Sequence, residues 1–152
     1  MTGHQTSDTG ARLHQALALG LVGKDTAACE LMADTLINSD VHQAYNLCRS
    51  IAHAGHTALL ILLGEHAPNL SAGDFWMLQP LQPDSDTADP ASLFSSRFIV
   101  AHCNDDPDAA MALYVALVTS GHETRFQGMS RLFADAVGLL RAAEKHKAAQ
   151  GQ

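Results

Sequence analysis

The strongest constraint on this chain is a recurrence of hydrophobic phase: residues 11–62 overlay residues 92–143 at a spacing of 81 positions. The overlay pairs Leu13 with Phe94, Leu17 with Phe98, Met32 with Leu113, Tyr45 with Phe126, Cys48 with Met129 and Ile51 with Leu132. Identity is confined to Asp25/Asp106, Ala28/Ala109, Leu36/Leu117, Ser39/Ser120 and Leu59/Leu140. What recurs is therefore a pattern of apolar positions and helix starts. It predicts one domain over residues 1–152 with similar halves at about 8–64 and 90–147, a linker at 65–89, and disordered ends at 1–7 and 148–152.

Helix boundaries are marked by residue chemistry. Gly23 and Gly64 are typical stops. Asp25 offers a carboxylate to the free amides of a second helix, and Asp40 with Gln43 has the spacing of a capping box. Asp89-Pro90 and Asp106-Pro107 place an acidic cap before a proline at the first helical position, where its missing N–H costs nothing. Ser120 with Glu123 has capping-box spacing as well. No stretch alternates with period two as a strand would. Each half then contains two short helices and a long one, and the long ones carry apolar stripes that need cover. The fold class is all-α: a bundle of about six helices, in two three-helix halves related by a pseudo-two-fold.

The run Thr57 to Leu63 is apolar on every side of its helix, which fits a bundle centre or a self-association surface. The linker holds Pro68, Pro80 and Pro83 and divides into an apolar piece, Gly73 to Leu78, and a polar piece, Pro83 to Asp89. The apolar piece carries the single Trp of the chain. Phe75, Trp76, Met77 and Leu78 are candidate partner-binding residues, because aromatic anchors on loops commonly serve as binding hot spots. Equally, Trp76 would bury a large surface by folding back over one end of the bundle.

Nine histidines are many for 152 residues. His42, Asn46, Arg49, His53 and His56 form a stripe on the third helix, and His53 and His56, one turn apart, are close enough to share a metal ion. His42, His53 and His56 are the candidate metal ligands, although no third or fourth ligand is evident beside the pair. His102-Cys103 points in two directions around its helix and makes no local chelate. Di-iron Glu-x-x-His and zincin His-Glu-x-x-His patterns are absent, as are a nucleophile elbow and a glycine-rich phosphate loop. No cofactor is expected, and the missing motifs lean against an enzyme without deciding the point.

A net charge of −7 opposes binding to nucleic acid or an anionic membrane, since both need a basic face. Three cysteines cannot form a complete disulfide set and read as small core residues in a reducing, cytoplasmic setting. Abundant alanine with little lysine suggests a GC-rich bacterial genome. The expected function is a non-enzymatic interaction module that self-associates or binds a protein partner. The alternative is a helical protein, an enzyme included, that binds a metal or small ligand through the histidine stripe on its third helix.

Overall fold

The computed structural model describes residues 2–77 and 89–151, with side chains from Asp8 onward. Six α-helices follow one another: α1 (Thr2–Leu21), α2 (Asp25–Ile37), α3 (Val41–Leu63), α4 (Pro90–Cys103), α5 (Pro107–Val118) and α6 (His122–Gln150). Short 3-10 turns at Gly64–His66 and Leu70–Ala72 begin the connection between α3 and α4. There is no strand among the described residues. At both ends of the chain the helices continue into segments whose polar composition led us to expect disorder.

Local chemistry explains most boundaries. Asp40 accepts a 2.8 Å bond from the Gln43 amide while Gln43 Oε1 accepts a 2.9 Å bond from the Asp40 amide, which completes the capping box of α3. Asp106 caps α5 through the Ala109 amide at 3.1 Å. Two other expected caps are corrected. Lys24, not Asp25, occupies the cap position of α2, and the Asp25 carboxylate is drawn away to Arg141. Ser120 turns back to donate 2.6 Å to the Ala116 carbonyl, so Gly121 holds the cap position of α6 with no side-chain bond.

The ends of α1 and α4 share one device. After α1, the Gly23 and Lys24 amides return to the carbonyls of Gly20 and Leu19. After α4, those of Asp105 and Asp106 return to His102 and Ala101. Both are Schellman turns, which need a left-handed residue. Gly23 supplies it at φ 84°, whereas the second copy uses Asp105 at φ 52°. These turns sit 82 positions apart, while α3 and α6 start 81 apart, because α2 has 13 residues and α5 has 12.

The long helices α3 and α6 pack against each other most extensively, and α4 lies against both. The centre is built from Leu47, Cys48, Ile51 and Ala52 of α3, Phe94 and Phe98 of α4, and Met129, Leu132, Phe133 and Ala136 of α6. Ser95, fully buried on α4, donates 2.6 Å to Asp135 of α6, whose other oxygen accepts from Arg131 at 2.9 Å. The α1–α2 pair rests more lightly on the long helices. Cys48 and Cys103 are buried and Cys29 is exposed, so one of the three thiols lies outside the core.

By length and composition alone, Val41–His66 reaches the minimum for a membrane span, with a third of its most apolar window buried in the fold. It also carries Arg49, His53 and His56 on one face, and lipid would leave that polar face uncovered.

Candidate metal centre

Two elements bring three imidazoles together. Helix α3 presents His53 and His56 one turn apart, and α4 adds His102 from its last turn. Nδ1 of His53 and Nε2 of His102 share a hydrogen bond at 3.3 Å, whose proton a metal ion would replace, and one ring nitrogen from each of the three histidines lies within 4.8 Å of the others. The rings stand nearly perpendicular to one another, with centroids 5.5–6.4 Å apart. Around zinc, with bonds of about 2.0–2.1 Å, two tetrahedral ligands sit about 3.3 Å apart. The His53–His102 pair already has that separation. The remaining nitrogen lies no more than 4.8 Å from the others, so a shift of under about 2 Å closes the set.

Electrostatics favour the neutral, ligating form of His56 and His102. Burial pushes the His56 pKa down, and the neighbouring His53 adds to the effect. His102 is lowered for the same first reason, then by His53, His56 and Arg49, with Asp105 acting in the opposite sense. Neutral imidazole is the form that binds a metal. Burial is graded: His53 is exposed, while His56 and His102 are partly buried.

Trp76 closes one flank. Its ring meets His56 edge-on at 5.7 Å and 88°. The Trp76 amide donates to Asn104 Oδ1 at 2.6 Å, and Asn104 Nδ2 donates back to the Trp76 carbonyl at 3.0 Å. Asn104 lies two residues beyond His102, so the strap is pinned to the helix end that supplies the third imidazole. Asp74 receives the Asn69 amide at 3.1 Å and rounds off the turn leading into the strap. Trp76 is half-buried against the core, whereas Phe75 and Met77 are 64% and 69% exposed. Leu78 and residues 83–88 of the polar piece lie outside the described residues.

The three metal candidates from the sequence separate. His53 and His56 join the cluster. His42, eleven residues earlier on α3, is about 16 Å away along the axis at 1.5 Å per residue. Its place is taken by His102, which sequence reasoning set aside because its neighbour Cys103 points elsewhere. A usable signal existed: His102 stands 81 positions after Leu21, so the second half replaces an apolar residue with an imidazole. The counterparts of His53 and His56 are Ala134 and Val137, and among the described residues the cluster has no second copy.

Fold and site together define an all-α six-helix protein with a surface tri-histidine cluster. No family model, no curated protein and no solved structure matches the chain.

Proposed function

We propose that this chain is a metal-binding helical protein that holds one divalent transition-metal ion at His53, His56 and His102. The observation that carries the reading is the convergence of three imidazole nitrogens, from two separate helices, within 4.8 Å. An all-nitrogen set suits zinc, copper, nickel or cobalt and disfavours magnesium and calcium, which take oxygen ligands. Titration of the purified chain with cobalt(II) and zinc(II), followed by visible absorption and calorimetry, tests it. One ion per chain is expected, with binding lost in His102→Ala and in His53→Ala and kept in His42→Ala. Absence of stoichiometric binding, or full binding in His102→Ala, would defeat the proposal.

Self-association through the α3 end and the strap is a second reading, supported by the exposure of Leu60, Leu63, Phe75 and Met77. Sedimentation of wild type beside Leu60→Glu with Met77→Glu tests it: a dimer that dissociates in the variant supports it, and a wild-type monomer overturns it. The relation between the two halves belongs to the same proposal. It is supported by the shared phase and by the paired Schellman turns. A cytoplasmic setting suits the free thiols.

A further inference from the structure

A metal held by three imidazoles has at least one coordination position left, and the surroundings of this cluster limit what fills it. Cys103 follows His102 directly, but it is 1% exposed, is packed in the core, and its sulfur falls outside the 4.8 Å group. Cys48, on the same helix as His53, is buried in the core and its sulfur falls outside that group as well. Neither sulfur joins the imidazole nitrogens. Asp105 is the carboxylate whose charge reaches His102. It is exposed, its backbone is committed to the left-handed turn after α4, and its oxygens fall outside the 4.8 Å group. Arg49 is a cation and cannot ligate. Among the described residues, the three imidazoles are the whole donor set.

Charge and access then decide the class of ligand. Three neutral imidazoles leave the double charge of the ion uncompensated, and Arg49 adds another positive charge near His102. Such a centre attracts a small anion over a neutral or cationic ligand. Access is one-sided. Trp76 stands against His56, while His53 faces solvent, so an incoming ligand enters on the His53 side. Structural zinc sites are closed by four protein ligands, whereas sites with three keep a position for solvent or an exogenous group.

We propose that this centre is of the open kind: the ion bound by His53, His56 and His102 keeps an exchangeable position that takes a small monoanion from solvent. The inference rests on the metal-binding reading above and extends it to a ligand class. Sodium azide is the probe, added to the cobalt(II)-loaded full chain while the d–d absorption is followed. A saturable change in band position or intensity at millimolar azide is expected, and it is expected equally in Asp105→Asn. Three outcomes overturn the proposal. A cobalt spectrum that forms but ignores azide means a protein group fills the position, and the metal-binding reading survives. An azide response that appears only in Asp105→Asn means that the aspartate fills it. Failure of cobalt(II) to bind at all removes this inference together with the metal-binding reading.

Discussion

The two short-helix pairs, α1–α2 and α4–α5, come from stretches with the same hydrophobic phase yet are held to the long helices in different ways. Helix α4 is wedged against both α3 and α6 and presents Phe94, Phe98 and Ile99 to the core. At matching positions α1 presents Leu13 and Leu17, and it packs chiefly on α2. The α1–α2 pair is tied to α6 through Arg141, which donates 2.7 Å to the Gly20 carbonyl and pairs with Asp25. Helices α4 and α5 add the Ser95–Asp135 and Tyr114–Val41 bonds to their apolar contact. Aromatic side chains bury more surface than leucine, and a partly exposed ion pair adds little. Matching phase thus gives matching helices but unequal anchorage, and the better-anchored pair also supplies the third imidazole.

Substitution at the matched positions Phe98 and Leu17 is the sharpest way to break this contrast. Phe98 is fully buried between Phe94 and Tyr45, and Phe98→Ala should cost ~3–5 kcal/mol by denaturant unfolding. Leu17→Ala, at the looser periphery, should cost ~2–3 kcal/mol because the site can relax around the loss. Equal costs would mean that both pairs are core elements of the same rank. Next in size is Arg141→Ala, at ~1–2 kcal/mol for a lost hydrogen bond and ion pair. Its distinguishing readout is hydrogen exchange: protection should fall in α1 and α2 and hold in α4 and α5. A uniform fall would dissolve the contrast. Tyr114→Phe comes third. Its hydroxyl donates 2.6 Å to the Val41 carbonyl and ties α5 to the start of α3, whereas the matching residue of α2 is Ala33. The loss should be ~1 kcal/mol, with m unchanged. An unaffected midpoint would show that the tie contributes nothing.

Phase and caps made the helices readable because both are local. Asp40 with Gln43 and Asp106 with Pro107 need only their own turn of chain, and both behave as expected. Asp25 and Ser120 do not, since each finds a competing partner: Arg141 from far along the chain for the first, the last turn of α5 for the second. The site divides in the same way. His53 and His56 are visible as a pair because one helix sets their spacing. His102 is not, because its approach depends on how α4 packs beside α3, a long-range fact that periodicity does not contain. Trp76 was readable as a residue that docks, but not as a flank of the imidazoles. That position depends on Asn104, 28 residues away.

The smallest expected effect tests the join between the better-anchored pair and α3. The pKa values of His56 and His102 are lowered from 6.5 by burial first and then by neighbouring positive charge. Arg49, His53 and Asp105 are the charged and titratable neighbours that act on them. Below 6.5 the unfolded chain therefore binds more protons than the folded one. Stability should be complete above that pH and decline as the pH falls from 6.5 through the lowered folded values, then level off. Half-exposed groups make the decline modest. It should belong to the α3–α4 join, so His56→Gln with His102→Gln should flatten the melting-temperature profile between about pH 7 and 5, while Arg141→Ala should leave its slope intact. Zinc should raise the melting temperature of wild type at the upper end of that window and lose its effect toward the lower end, as protons displace the metal. An acid slope that persists in the double variant would place the titrating groups elsewhere and leave the α3–α4 join no more acid-sensitive than the α1–α2 side.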